Sequence, residues 1–200
     1  MSLGDKEFLF YILASRLQNT GDVFAGFSPL KNYDYSRLYQ WMKRLDELNN
    51  ESNLVPALAS YYYSQTQNKP DTRYIVNYLD EHVTAENIKA KWWWLVQAIY
   101  ISKDFLKDQR RAVDLAYKLS SGYDEKIMPI WVLQMPAFIS KDVGDGCTAF
   151  LIIKNLIDEA ESGKRQFSAK DMDFMRQFIN ERLAQLKNLK FNPYKCKNKK

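Results

Sequence analysis

The sequence contains little of the side-chain chemistry on which enzymes and metal sites depend. Its 200 residues include a single histidine, His82, and two cysteines, Cys147 and Cys196. A Ser-His-Asp or Cys-His arrangement would have to use His82, whose place at a predicted helix end indicates a surface residue stabilised by the helix dipole. The cysteines make no disulfide framework, and with His82 they lack the ligand spacing of a zinc site. We therefore expect no catalytic residue, no metal and no cofactor.

Long apolar runs and phosphate loops are also missing. The longest apolar run near the start, residues 8–14, is too short to cross a bilayer and lacks the basic flank of a signal peptide. Residues 144–146, Gly-Asp-Gly, have neither the preceding strand nor the following Gly-Lys-Ser/Thr of a phosphate loop, so they predict a turn between helices.

Carboxylate pairs are the remaining catalytic candidates. Each stands at a predicted helix end, where acidic residues are common as caps: Asp124/Glu125, Asp158/Glu159 and Asp171/Asp173. An all-α lytic or hydrolytic enzyme would need a carboxylate buried in a cleft, and no motif points to one. We keep that enzyme as a third hypothesis and interpret the chain as a non-enzyme.

The positive charge of the chain is concentrated at its C-terminus. The formal net charge is +5, but six of the basic residues lie at or after position 187, where there is no acidic residue. Residues 1–186 therefore carry a net charge of −1 with interspersed signs, which does not predict a nucleic-acid-binding face. Residues 191–200 are predicted to be a flexible basic tail with four lysines: Lys195, Lys197, Lys199 and Lys200.

An internal repeat organises the chain. An offset of 38 residues places Ile101-Ser102-Lys103-Asp104 on Ile139-Ser140-Lys141-Asp142 without a gap. The same offset gives further matches: Trp93 with Trp131, Tyr100 with Phe138, and Tyr62 with Tyr100. Three copies at one period indicate a repeat architecture.

Each copy predicts a pair of helices. In the middle copy, Trp93, Val96 and Tyr100 recur at helical spacing, and Gly122 ends the second helix. No alternating pattern predicts a strand. The sequence thus predicts an all-α protein of about nine helices, forming one domain over residues 1–190. The three best repeats span residues 53–84, 87–122 and 127–161, and flanking helices are predicted near residues 5–18, 34–48 and 168–189.

This pattern resembles the tetratricopeptide repeat (TPR), a helix pair of about 34 residues with Trp, Leu, Gly and Tyr marks on its first helix and Ala, Phe and Ala on its second. The matching residues are Trp93, Val96 and Tyr100; Trp131, Gln134 and Phe138; Val55, Leu58 and Tyr62; and Ala112 and Ala149. Other residues replace the family's Gly and its last Ala: Gln97, Met135 and Ala59, then Leu119 and Leu156. Over about residues 53–160, the resemblance implies a TPR-like α-α superhelix, or solenoid, with a C-terminal capping helix. Parts of the chain are also similar to an uncharacterised group of bacterial TPR-like proteins, often with a membrane segment upstream.

The resemblance also implies a concave groove. The family lines its groove with positions that follow its Trp and Tyr marks, and here these are Tyr63, Trp94, Ala98, Ile101, Val132 and Ile139. Because this set has no Lys/Arg clamp for a carboxylate, it predicts a hydrophobic or helical ligand. The alternative is that the aromatic residues pack between repeats. Adjacent helical residues point about 100° apart, so Trp92, Trp93 and Trp94 cannot share one face.

We therefore expect a non-enzymatic interaction module or scaffold that binds a protein or peptide along its groove. The alternative is a membrane-tethered structural protein whose basic tail contacts anionic lipid or nucleic acid. The location stays open between the cytoplasm and a membrane to which an upstream segment tethers a soluble domain, and the partner is not identified by the sequence.

Overall fold

The computed structural model describes residues 4–19, 22–23, 26–142 and 144–188. Within these residues the chain is helical, as predicted, with nine α-helices and one short antiparallel pairing of β1 (Asp22–Val23) with β2 (Gly26–Phe27). The helices are α1 (Lys6–Gln18), α2 (Tyr35–Leu48), α3 (Leu54–Ala57), α4 (Lys69–His82), α5 (Ile88–Tyr100), α6 (Gln109–Ser121), α7 (Trp131–Asp142), α8 (Gly146–Glu161) and α9 (Ala169–Asn188).

Two of the helices continue beyond their α-helical part. A π-helical turn, Leu58–Tyr62, and a short 3-10 turn, Tyr63–Gln65, extend α3, and a second π-helical turn, Ile101–Leu106, extends α5. The second π turn ends at Lys107, whose φ of 58° is left-handed. The extended α3 with α4, the extended α5 with α6, and α7 with α8 occupy the three predicted repeats. Their stacking into a TPR-like superhelix stays a prediction.

Aspartate side chains cap the N-termini of four helices. The carboxylate of Asp5 accepts a hydrogen bond from the backbone N–H of Phe8 at 3.0 Å, and Asp34, Asp108 and Asp145 accept equivalent bonds at the starts of α2, α6 and α8. Such caps satisfy N–H groups that have no partner within the helix. Inside α7, Pro136 has no N–H to donate, so one hydrogen bond of that helix is missing, as its sequence position predicts.

The chain divides into two compact units, residues 1–115 and residues 116–200, with the boundary inside α6. The prediction of one domain over residues 1–190 stays a prediction. In the first unit, α2 packs against α1 and α4, and α4 packs against α5. Its largest fully buried side chains include Phe10, Met42, Leu45, Ile75, Leu79, Leu95 and Ile99.

The core of the second unit joins α7, α8 and α9. α8 packs against both neighbours, and the buried side chains are Leu133, Ala137, Ala149, Ile153, Leu156, Met175 and Phe178. Cys147, in the first turn of α8, is disulfide-bonded, which the sequence analysis did not predict. The other cysteine of the chain, Cys196, lies outside the described residues. Among the helices that the structure describes, none has the length and apolar character needed to cross a membrane.

Candidate functional site

The six predicted groove residues lie mostly in the interior. Five are buried, Tyr63, Trp94, Ala98, Val132 and Ile139, while Ile101 is half-buried. A partner could reach the five only if neighbouring side chains moved. The groove that the resemblance implies stays a prediction. The four lysines of the predicted tail, Lys195, Lys197, Lys199 and Lys200, lie outside the described residues.

Hydrogen bonds hold two of these aromatic side chains inward. The Tyr63 hydroxyl donates to the backbone carbonyl of Leu17 in α1, and the Tyr63 carbonyl accepts from the Tyr35 hydroxyl at 2.9 Å. The indole N–H of Trp94 donates to Asn53 Oδ1 at 3.1 Å. Both rings thus join elements of the first unit to one another.

Different aromatic side chains face the solvent, and we call Tyr61, Trp93 and Tyr100 the aromatic ridge. They are 54%, 42% and 44% exposed. Trp93 and Tyr100 are seven residues apart on α5, so they lie on one face about 10 Å apart along the axis. Two residues of the ridge are associated with the π-helical turns. Tyr61 lies within the first turn, and Tyr100 directly precedes the second.

Polar and ring contacts fix two residues of the ridge, Tyr61 and Trp93. The indole N–H of Trp93 donates to the Tyr61 hydroxyl at 2.8 Å, which joins α5 to the extension of α3. Edge-to-face contacts connect Trp93 to Trp92, with ring centroids 5.7 Å apart, and Tyr61 to Trp94, with centroids 6.1 Å apart. The rings of Tyr61 and Trp93 therefore contact rings that are more deeply buried, and these two side chains retain little conformational freedom for a partner to remove.

A second exposed apolar surface lies on α1, where Phe8, Tyr11 and Ile12 are exposed on one side of the helix. The opposite side, Phe10, Ala14 and Leu17, is buried. In α2, Trp41 is 45% exposed, close to the value for Trp93. Because these residues are also exposed and apolar, substitutions of them can serve as controls for substitutions in the ridge.

Between α2 and α4 lies a cleft of about 540 Å³, which we call the polar cleft. Its lining residues are Lys43, Asp46, Glu47, Asn50, Tyr78, Glu81, His82, Thr84, Glu86 and Asn87. Three elements supply them: α2 with the residues after it, the C-terminal half of α4, and the loop between α4 and α5.

At the base of the polar cleft, His82 is paired with Asp46. His82 Nδ1 lies 2.8 Å from Asp46 Oδ2, and the Tyr78 hydroxyl donates to Asp46 Oδ1 at 2.9 Å. The His82 side chain is 0% exposed, so the prediction of a surface histidine is wrong. Burial, followed by the charge of Asp46 and the hydrogen bond to it, raises the pKa of Tyr78 well above its usual value, so Tyr78 stays a donor.

The sequence carries a partial signal for this cluster. Tyr78 and His82 are four residues apart on α4 and therefore share a face. Asp46 is 36 residues from His82, on a different helix, so no local pattern could connect it to the histidine. The buried side of α2, which includes Met42 and Leu45, brings Asp46 to the interface with α4.

The mouth of the cleft carries a second polar network. The Lys43 ammonium lies 2.7 Å from Glu81 Oε2, and the Tyr39 hydroxyl donates to Glu81 Oε1 at 2.6 Å. The hydrogen bond to Glu81 raises the pKa of Lys43. Burial opposes ionisation of Glu81, but the hydrogen bonds from Lys43 and Tyr39 outweigh it, and the pKa of Glu81 is lowered.

Lys91, on the buried side of α5, holds the loop between α2 and α3. Its ammonium donates to Asn53 Oδ1 at 3.0 Å and to the backbone carbonyls of Glu51 and Ser52. Burial lowers the pKa of Lys91, more than Asp46 and Glu51 raise it. All three ammonium donors have acceptors, so this lysine has a structural role.

No group of three or more His, Cys, Asp or Glu side chains in the described part of the chain is arranged to hold a metal ion. Comparison with protein-family models, with curated proteins and with solved structures finds no match to this chain.

Proposed function

We propose that this protein is a non-enzymatic interaction module and that the aromatic ridge binds an amphipathic helix of a partner protein. The observation that carries the proposal is the exposure of Tyr61, Trp93 and Tyr100, together with the hydrogen bond that fixes Tyr61 and Trp93 relative to each other. We therefore assign partner binding, which the sequence predicted for a concave groove, to side chains that a partner can reach.

The chemistry of the ridge suits a protein partner. Tyrosine and tryptophan are enriched at interfaces and among residues that dominate binding energy, because they combine a large apolar ring with a polar tip. The bond between Trp93 and Tyr61 already satisfies one polar group, so a partner need not desolvate the indole N–H without compensation.

The length of the ridge favours a helix as the partner. The distance of about 10 Å between Trp93 and Tyr100 along α5 equals two helical turns. An amphipathic helix presents apolar anchors at positions i, i+3, i+4 and i+7 over the same distance. The two π-helical turns beside the ridge are consistent with this role, since such turns occur frequently at functional sites.

A displayed library of amphipathic helical peptides provides the test. Peptides selected on the wild-type protein are measured against Trp93→Ala and against the matched control Trp41→Ala, with circular dichroism as the check on folding. We expect Trp93→Ala to weaken binding by about tenfold or more, as for a central aromatic anchor, and Trp41→Ala by less than about threefold.

Two results would contradict the proposal. The selected peptides could bind Trp93→Ala as tightly as the wild type, or they could depend on the α1 residues Phe8 and Tyr11 instead. Either result would assign the preferred helix-binding surface to another part of the protein.

The alternative function, tethering through the basic tail, concerns residues outside the described part of the chain, and the lysine-rich sequence of residues 191–200 is what favours it. Deleting these residues is expected to remove salt-sensitive binding to phosphatidylserine vesicles or to RNA. If the shortened protein binds as well as the full chain, the tail has no such role.

A further inference from the structure

We propose that the disulfide bond of Cys147 is formed with Cys196 and is a redox-sensitive link, which ties the lysine-rich C-terminus to the first turn of α8 until a dithiol reductant opens it. This inference is independent of the aromatic ridge. It depends on the state of Cys147, on the number of cysteines in the chain and on the course of α9 within the second unit.

The first observation is the state of Cys147. Its sulfur is disulfide-bonded, and no described cysteine carries a free thiol. The sequence has one other cysteine, Cys196, so a disulfide within the chain can form with no other partner. The alternative is a bond to a cysteine of a second copy, which would make a covalent dimer.

The second observation is the course of α9. Its residues Phe178 and Glu181 line a cavity of about 250 Å³ together with Lys141 and Asp142 of α7. The Lys141 ammonium also lies 6.0 Å from the centre of the Phe178 ring. Because Asp142 precedes Cys147 by only five residues, the second half of α9 lies close to the turn that leads into α8.

The chain after α9 is long enough to form the bond. α9 advances by about 10 Å from Glu181, beside the turn between α7 and α8, to its end at Asn188. Cys196 follows Asn188 by eight residues, and eight residues span up to about 26 Å when extended. A segment of this length can return to Cys147 without a change in the described helices.

Opening the link is a balanced thiol–disulfide exchange. One thiolate of a dithiol attacks the sulfur of Cys147 or Cys196, forms a mixed disulfide with it and releases the other cysteine. The second thiolate of the reductant then attacks the reductant sulfur of the mixed disulfide and releases the remaining cysteine. The reductant is oxidised to a disulfide, and the two cysteines gain two electrons and two protons in total.

The link has consequences for stability and for the position of the tail. The loop that it closes, about 50 residues long, contains most of α8 and all of α9, so the link restricts the unfolded chain and stabilises the second unit. Lys197, Lys199 and Lys200 follow Cys196 within four residues and therefore stay within about 14 Å of it along the chain. Disulfides of this kind persist in an oxidising compartment, and the proposal places the folded chain there.

Mass spectrometry of the full-length protein tests the pairing. The protein is secreted into an oxidising compartment, purified, denatured, and alkylated with iodoacetamide before or after treatment with dithiothreitol. We expect a monomer with no alkylated cysteine before reduction and with two after it. Trypsin should release residues 142–154 joined to residues 196–197, and dithiothreitol should separate the two peptides.

Thermal unfolding followed by circular dichroism tests the redox sensitivity. Dithiothreitol is expected to lower the melting temperature of the wild type by at least about 5 °C, because the loop is no longer closed. The matched control is Cys196→Ser, which should melt near the temperature of the reduced wild type, with or without dithiothreitol. Oxidised glutathione should restore the higher melting temperature of the reduced wild type and leave that of Cys196→Ser unchanged.

Three results would overturn the inference. The first is a wild-type protein whose thiols stay free in oxidised glutathione. The second is a covalent dimer in place of the linked monomer, which would assign the bond of Cys147 to a second copy. The third is a wild-type melting temperature that dithiothreitol does not change.

Discussion

Two sides of α5 carry neighbouring tryptophans in opposite environments. Trp93 is 42% exposed and donates its indole hydrogen to another exposed side chain, Tyr61. Trp94 is 7% exposed and donates to Asn53, which also accepts from the buried Lys91. Trp94 therefore contributes to the stability of the fold. Trp93, on the other side of α5, forms part of an exposed surface and contributes less to stability.

The sharpest way to test this comparison is to remove each indole in turn. Trp94→Ala creates a cavity and leaves Asn53 with one donor fewer, so we expect it to lower the free energy of unfolding by about 3–5 kcal/mol. Trp93→Ala is expected to cost about 1 kcal/mol, because much of its ring is already in water. Urea unfolding followed by circular dichroism measures both, and similar losses would show that the two sides do not differ.

The next largest loss of stability is expected from a substitution of Asn53, the acceptor shared by Lys91 and Trp94. Asn53→Ala leaves two buried donors without this partner, which should cost about 2–3 kcal/mol. Its side chain makes no capping bond to α3, so loss of a cap does not contribute. The nearby exposed Asn50 is the control, and Asn50→Ala should change stability by less than about 0.5 kcal/mol. Equal effects in the same unfolding assay would contradict the role of Asn53 as an anchor.

A smaller effect is expected from the charge of Lys91. Because burial lowers its pKa, the folded protein loses this proton before the unfolded chain does as the pH rises towards the ordinary value of 10.5. The unfolded state then binds more protons, so the stability of the wild type should rise relative to Lys91→Met over this range. Both proteins contain the same tyrosines, whose ionisation cancels in the difference. A flat or falling difference would contradict the lowered pKa.

The smallest effect is expected from the hydroxyl of the ridge. Tyr61→Phe removes the acceptor for the Trp93 indole N–H, but water can replace it at this exposed site, so stability should fall by less than about 0.5 kcal/mol. Peptides selected for binding to the wild-type ridge should bind Tyr61→Phe about two- to fivefold more weakly, because the Trp93 ring is less well fixed in this variant. A loss of stability as large as that of Asn53→Ala would contradict this prediction and show that the bond between Trp93 and Tyr61 is important for the fold.

The positions of the helices follow from the sequence because their apolar residues recur at helical spacing. α4 illustrates this, since Ile75, Leu79 and the adjacent Val76 and Tyr78 form the buried side of a helix that the predicted repeat of residues 53–84 contains. Local capping by Asp34 and Asp145 strengthens the same signal.

The exposed side of α5 could not be predicted in the same way. Its apolar residues occur around most of the helix, including Trp93 and Trp94, so periodicity alone does not say which side is buried. The repeat resemblance placed Trp94 in a groove, and the hydrogen bond to Asn53 instead keeps it inside. That bond joins residues 41 positions apart, beyond the range of any local pattern.

The polar cleft was missed for a similar reason. His82 ends α4, where the sequence suggests exposure, but the pairing of α4 with α2 covers the ring and brings Asp46 to it. The one detectable sign was the shared face of Tyr78 and His82. Only the tertiary structure shows what that face contacts.

The π-helical turn at Ile101–Leu106 has a consequence for how this chain tolerates changes in length. A π turn encloses one residue more per hydrogen-bonded ring than an α turn. α5 therefore accommodates an added residue inside the helix, and only Lys107 and Asp108 separate the turn from α6. Deleting one residue from this segment would restore an α-helical ladder but rotate the start of α6 by about 100° relative to α5. Insertions and deletions in this segment should thus rotate α6 relative to α5, while the connection between the two helices keeps its length of two residues.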